Sequence, residues 1–321
     1  MTINSDLQEK LTDAILHSSL EKQQKTGPKL RQLHPKSHGL VSGKFTIEEN
    51  IPEKCKVGVF AQSNEYDIFV RFSNGSPPKE LNVLHPDQKG DVRGMAIKLN
   101  NVEGDKVPSD ENDTQDFVLI NHPVLFLQDV QGYIDLGKFQ ALVGEGQDPD
   151  PELAKKLAPS FAILEAINGK VIGNPLSVQY WSTTPYKLGS NFIKFSAKPH
   201  EIEAKPSSIP DSSHYLREAM VNHLTTEQKQ STFDFLIQFY VDDEKTPIEK
   251  PMQEWEEEVS PFIKVATITI PPQTFDCDER KEFDESLSFT PWHTLPEHEP
   301  VGSINLSRRK IYQEISKARR Q

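Results

Sequence analysis

An α+β fold built on an antiparallel β-barrel, with helices inserted and flanking, is what the sequence predicts, and three observations predict it. Apolar residues alternate with period two in several segments between about 45 and 127, and again in the second half of the chain. Long excursions, one of them helical in pattern, separate these segments, which suits antiparallel strands better than a parallel α/β sheet. Proline accounts for 24 of 321 residues, about half again its usual share of roughly 5%, so much of the connecting chain is turn-rich.

Residues 5 to about 25 read as an amphipathic helix. Ser5 and Gln8 have capping-box spacing, Leu7, Leu11 and Ile15 lie on one stripe, and Gly27-Pro28 stops the pattern. With 1–27 as an N-terminal helical arm, the chain reads as a single domain over 1–321, without linker or internal repeat. The next stretch, "KLRQLHPKSHGLVSGKF" (Lys29 to Phe45), has neither helical nor strand periodicity. Then "GKFTI", "KVGVFA", "DIFVRFS", "RGMAIKL" and "DFVLINHPVLFL" read as strands. Within them Ile68, Val70 and Phe72 share one face and Phe69, Arg71 and Ser73 the other, while Phe117, Leu119 and Asn121 share a face. An arginine and an asparagine set among apolar neighbours are costly unless each has a partner. The region from about 130 to 175 is helical, most clearly in "DPDPELAKKLAPSFAILEAI"; strands return in "IKFSAKP", "FDFLIQFYV" and "FIKVATITI", and "SRRKIYQEISKARR" forms a short last helix.

A formal charge of −12 disfavours nucleic acid as a partner, because that binding rests on neutralising phosphates with Lys and Arg. Small uncharged substrates fit better. Cys55 and Cys277 lack C-x-x-C spacing, so they suggest neither a zinc site nor a disulfide framework. No run approaches the roughly 18 apolar residues of a spanning helix, and "MTINSDLQEKL" lacks the layout of a secretory signal. A cytoplasmic location is therefore expected.

Four pieces stand out for chemistry: Arg31 and His34, Arg71 in "VRFSNG", Asn121 in "LINHP", and Arg308 with Tyr312 in the last helix. The ordered series "RQLHPKSHGLVSGKF", "IFVRFSNGSP", "GDVRGMAIKL" and "DFVLINHPVLFLQD", from about Arg31 to Asp129, resembles the core of haem catalases and their smaller relatives, the catalase-related peroxidases and allene oxide synthases. The resemblance resumes at "PVGSINLSRRKIY".

This resemblance implies a catalase-like β-barrel with a pocket in the barrel for haem b. His34 and Asn121 stand where the family has its distal histidine and asparagine. Arg31 and Arg71 match arginines that pair with haem propionates, Tyr133 lies about where an aromatic ring stacks on the haem, and Tyr312 matches the proximal iron ligand, with Arg308 four residues before it. The implied activity is that of a peroxidase or catalase-like oxidoreductase, reducing hydrogen peroxide or organic hydroperoxides through a ferryl state, with a small organic molecule as a further reductant. A homo-oligomer is compatible with the chain.

Elementary chemistry gives these residues roles of their own. A tyrosine of ordinary pKa near 10 must lose its proton to bind iron, which at neutral pH takes roughly 4 kcal/mol. A guanidinium one helical turn away favours the phenolate, and tyrosinate is a known haem ligand. A histidine can carry a proton from one peroxide oxygen to the other, an asparagine amide can polarise them without adding charge, and arginine forks suit carboxylates.

Taken singly, each residue has an ordinary explanation. His34 would be a loop histidine, Tyr312 a rim tyrosine of an amphipathic helix, and Lys317, Arg319 and Arg320 would answer the helix dipole. His38, His85, His122, His293 and His298 read as structural or surface residues, and Tyr180 and Tyr186 are weaker rival ligands because neither has an arginine four residues earlier. Large catalases continue well past the proximal tyrosine with a wrapping segment and a helical domain; here nine residues follow Tyr312, so neither that domain nor a flavodoxin-like one is expected, and a more open pocket is. Leu33 stands where allene oxide synthases carry threonine, which tilts the expectation from fatty-acid hydroperoxide rearrangement or lysis towards peroxidase chemistry. A non-catalytic haem carrier is the alternative of another class, and the presence of His34 and Asn121 speaks against it.

Overall fold

Strand structure begins earlier than the hydrophobic pattern suggests. In the computed structural model, which describes residues 5–203 and 206–320, β1 runs over Ser37–Ile47, inside the stretch that lacked periodicity. From His38 to Val41 every residue is buried, so the alternation that marks a half-buried strand begins only at Ser42. The other strands are β2 (Glu65–Asn74), β3 (Arg93–Leu99), β4 (Gln115–Ile120), β5 (Tyr180–Trp181), β6 (Tyr186–Leu188), β7 (Asn191–Pro199), β8 (Ser231–Phe239) and β9 (Ile263–Ile270). The helices are α1 (Ser5–Thr26), α2 (Val130–Gly144), α3 (Pro151–Asn168), α4 (Tyr215–Val221), α5 (Asp278–Ser286) and α6 (Ser303–Arg320). No helix among the described residues is long and apolar enough to cross a membrane.

The sheet runs β5-β4-β3-β2-β1-β9-β8-β7-β6, and a further pairing of β5 with β7 closes eight of these strands into an antiparallel barrel. This is the predicted α+β barrel with flanking helices. Its lumen is packed with Phe45, Phe72, Phe117, Phe195, Phe233 and Phe235. The Phe117 and Phe235 rings lie 4.8 Å apart, and Phe45 meets Phe235 edge-on at 5.0 Å. An eight-stranded barrel is only wide enough for its own side chains, so the pocket expected in the barrel has no space there. The candidate residues gather instead on the outer wall.

Two other sequence expectations are corrected. "KVGVFA" is not a strand: Gly58 takes φ 58°, a left-handed conformation natural to glycine, and Gly58–Phe60 forms a 3-10 turn. A Cβ at Gly58 would come within 2.2 Å of His298 Nε2. In α1, Gln8 forms no capping box. Its amide reaches across to α6, donating to Ser303 O at 2.7 Å and Ser307 Oγ at 2.6 Å. Thr12 joins Ser307 at 2.7 Å. Leu7, on the expected apolar stripe, is exposed, and the buried face carries Thr12, Leu16 and Gln23. A helix that docks through polar side chains shows little amphipathic pattern in sequence.

Candidate functional site

The register of β2, β3 and β4 builds a platform. Arg71 pairs with Ala96 and Ala96 with Val118; Ser73 pairs with Gly94 and Gly94 with Ile120. Since Ile68, Val70 and Phe72 fill the core, period two turns Arg71 and Ser73 to the outer wall. The two rows therefore present Arg71, Ala96 and Val118 beside Ser73, Gly94 and Ile120.

His34 lies over this platform with φ 57°. Its N–H donates to Gly75 O at 3.1 Å and its carbonyl accepts from Arg71 Nη1 at 2.9 Å. The ring nitrogen Nδ1 is 3.0 Å from Ser73 Oγ, a hydroxyl that can donate or accept and so fixes the ring in either tautomer. Gly94 makes this approach possible: a Cβ there would stand 2.5 Å from His34 Nδ1. Burial, with the cations Arg71, Arg308 and Arg31, lowers the His34 pKa to about 3. His34 is thus a neutral imidazole, and Nε2 is the nitrogen left free.

β4 ends at Ile120, so Asn121 escapes the inward face that its spacing from Phe117 and Leu119 implied. Its Oδ1 accepts from the Arg93 backbone N–H at 2.8 Å, which fixes the amide with Nδ2 as the outward donor. That Nδ2 is buried and has no hydrogen-bond partner among the described residues. The Arg93 side chain is tied down in turn, donating to Asn74 Oδ1 and to the carbonyls of Asp87 and Lys89. His38, buried behind it, shares Asn74 Oδ1 at 2.8 Å.

Arg31 and Arg71 meet at the base of α5. Arg71 Nε donates to Asp284 Oδ1 at 2.7 Å, and Arg31 donates to Glu285 Oε2 and Leu287 O, each at 2.9 Å. Arg319, from the last turn of α6, donates to the carbonyls of Glu285 and Leu287 and is 7% exposed. The dipole explanation for Arg319 is therefore corrected, since this guanidinium is buried in a cluster. Burial opposes ionisation of Asp284, yet Arg71 and Arg31 hold it below the usual carboxylate range. Burial and Arg71 bring Arg31 down to about 9. Three guanidiniums face two carboxylates, and Arg71 Nη2 is buried without a partner among the described residues.

Arg308 and Tyr312 form the pair expected of residues four apart on a helix. Arg308 Nη2 donates to Tyr312 OH at 3.1 Å, while Nη1 donates to Asn305 Oδ1 at 3.0 Å and Thr184 Oγ1 at 3.3 Å. Burial works against the Arg308 charge, but the phenols of Tyr312, Tyr186 and Tyr133 raise its pKa above the ordinary arginine value. Tyr133, on α2, packs against Leu127 and Leu136. Burial pushes it up to about 12, with Arg308 opposing and Tyr312 adding to the rise. Tyr133 thus lies beside the Arg308–Tyr312 pair. Of the rival tyrosines, Tyr180 donates to Pro175 O at 2.9 Å and is spent on structure. Tyr186 lies beside Arg308 and Thr184, which oppose the rise that burial imposes on its pKa, so spatial proximity supplies what its sequence spacing lacked.

The segment that delivers α6 is fastened by a buried ion cluster. His293 Nδ1 lies 2.8 Å from Asp116 Oδ2 and Nε2 lies 2.8 Å from Asp110 Oδ1. Lys98 pairs with Asp116 at 2.8 Å and with Glu111, and Arg320 of α6 reaches Asp110 at 3.0 Å. A neutral imidazole would turn one lone pair towards a carboxylate, whereas the imidazolium donates to both. Burial alone would lower the His293 pKa, but Asp116 raises it above the ordinary value. A raised folded pKa stabilises the fold fully below the unfolded value of about 6.5, and this contribution is lost as pH rises through the folded pKa. Thermal melting should therefore fall between about pH 6 and pH 9 in the wild type, and a flatter profile is expected for His293→Gln. Identical slopes for the two proteins would remove His293 as the cause.

The family described as Catalase matches residues 1–151. No curated protein sequence matches the chain. Among solved structures, a fungal catalase is 18% identical with a TM-score of 0.69, covering 90% of this chain and 59% of its own. A bacterial catalase is 17% identical with a TM-score of 0.67, covering 90% and 57%. Catalase A from Saccharomyces cerevisiae is 17% identical with a TM-score of 0.67, covering 90% and 61%. The chain thus spans about 60% of the length of these catalases. At such identities the structural likeness shows the fold alone, but it joins a sequence match that contains His34, Arg71 and Asn121. Together they show a catalase-like fold for the chain and, over residues 1–151, a likeness to the catalase family in sequence.

Proposed function

We propose that the chain is a catalase-like oxidoreductase that binds haem b and reduces hydrogen peroxide or organic hydroperoxides with the help of a small organic donor. The observation that carries this reading is the buried Asn121 Nδ2, which has no hydrogen-bond partner among the described residues and follows Ile120, the β4 partner of the Gly94 on which a neutral His34 rests; Arg308 of the Arg308–Tyr312 pair acts on the same imidazole. A solely structural asparagine would use that donor.

The residues present fit haem b. Its two carboxylates suit a cluster in which Arg31, Arg71 and Arg319 outnumber Asp284 and Glu285 and in which Arg71 Nη2 has no partner among the described residues. Tyr312 would ligate the iron, with Arg308 favouring loss of the phenol proton. Bound there, haem supplies the electrons that O–O cleavage requires. His34 Nε2 takes a proton from one peroxide oxygen and returns it to the other, which leaves as water or alcohol. Asn121 Nδ2 donates to the peroxide and orients it, while Ser73 and Gly94 keep the imidazole in place.

Absorption spectroscopy of the haem-reconstituted protein beside Tyr312→Phe tests this. A high-spin ferric spectrum that the substitution loses or alters, and that an organic hydroperoxide perturbs only in the wild type, is the expected result. A chain that stays colourless after reconstitution would sink the proposal.

A further inference from the structure

Outside this pocket the structure holds a second unspent reactive group. Ile193 and Phe195 of β7 turn into the barrel core, so Lys194 between them points outward, opposite Gln238 of β8. It is nonetheless 5% exposed. Trp255 covers it, with the ring centroid 4.8 Å from Nζ, and Nζ makes no hydrogen bond to any described residue. The other deeply buried lysines are matched to carboxylates, Lys36 to Asp87 at 2.6 Å and Lys98 to Asp116 at 2.8 Å. Gln238 Nε2 donates to Trp255 O and Ser260 O, and Lys194 Nζ has no hydrogen bond to Gln238 or to any other described residue.

Lys194 lines a chamber of about 50 Å³ with Trp181, Thr183, Glu254 and Trp255. Through Glu257 and Phe262 the chamber adjoins a surface groove of about 460 Å³. Burying an ammonium without a partner is costly, and the group responds by giving up its proton. Burial lowers the Lys194 pKa to about 7, with Glu254 opposing. A desolvated lysine of this kind is a nucleophile for carbonyl carbon. The acidic Glu254 and Glu257 at the chamber disfavour an anionic ligand and suit the cation that such a reaction forms.

We propose that Lys194 captures a small neutral aldehyde as a Schiff base. The Nζ lone pair attacks the carbonyl carbon and the carbonyl electrons pass to oxygen, which takes up a proton. The carbinolamine nitrogen gives up one proton, the hydroxyl takes up another from solvent and leaves as water, and the nitrogen lone pair forms the C=N bond, whose remaining N–H lies over the Trp255 face. No oxidant or reductant is consumed.

The test uses the full chain with acetaldehyde, and separately with glyoxylate, near neutral pH with cyanoborohydride as the trap, followed by peptide mapping. Acetaldehyde should place an N-ethyl group on Lys194 at an initial rate at least about tenfold above that at exposed lysines such as Lys10 and Lys155, because a desolvated amine offers its lone pair to carbonyl carbon. Glyoxylate should label Lys194 more slowly than acetaldehyde does. K194M should lose the fast label and melt no lower than the wild type, since it removes an unpaired amine from a buried site. Labelling at Lys194 no faster than at exposed lysines, or faster with glyoxylate, would overturn the proposal. So would a lower melting temperature for K194M, which would reveal a partner for the ammonium.

Discussion

Asp284→Ala should destabilise the fold by roughly 3–5 kcal/mol, the range for removing one partner of a buried ion pair. Asp284 is 4% exposed and Arg71 3%, so the guanidinium left behind cannot recover its hydration. Arg31 would lose the same carboxylate at 3.6 Å. Because α5 and the last turn of α6 converge on this cluster, the loss should spread to the site. Urea denaturation measures it, and Asp284→Asn, which keeps the shape but not the charge, should fall between alanine and wild type. A loss below about 1 kcal/mol would mean that Arg71 finds other acceptors and that the carboxylate is incidental.

Under the proposed function, Gly94→Ala should leave a folded protein whose peroxide turnover falls by about 10²–10⁴-fold, the usual contribution of a positioned proton-transfer group. The new methyl would stand 2.6 Å from His34 Cε1 and 2.9 Å from Ser73 Oγ. Since Gly94 is paired on both sides, with Ser73 and with Ile120, the backbone is held and the imidazole must give way. Overpacking of this kind costs about 1–3 kcal/mol, which a melting curve separates from the catalytic loss. His34→Ala should show a similar drop in turnover, and the double substitution should add little to either, because both remove one function. Fully additive losses would place Gly94 in a role unrelated to His34.

The parts of this molecule legible in its sequence are those whose signal is local. β2, β3, β8 and β9 carry period-two alternation, and Arg308 with Tyr312 follows directly from helical geometry. His34, Arg71 and Asn121 were found through the order of motifs, because no local pattern distinguishes a loop histidine that rests on a glycine from one that does not. What stayed hidden depends on distant chain segments. The carboxylates of Asp284 and Glu285 lie more than 200 residues from Arg71 and Arg31 in sequence, in a helix with few apolar residues. Arg319 looked like an answer to the helix dipole because burial cannot be read from a cation at a helix end. β5 and β6 are two and three residues long, too short for any periodicity, yet one of them closes the barrel. Asn121 seemed inward-facing because parity holds only while a strand lasts, and β4 stops one residue before it.

The barrel closes late along the chain. β1 through β4 are complete by Ile120, but β1 finds its second neighbour only in β9, which ends at Ile270. A chain emerging from the ribosome with its first 151 residues would carry a four-stranded sheet with two open edges, and open edges invite pairing with other chains. Tyr312 would emerge later still, on α6, after the wall that faces it had already formed. Biosynthesis therefore passes through a long interval in which the first half of the sheet exists with open edges, and yield in the cell should depend on chaperones that shield β1 until β9 arrives.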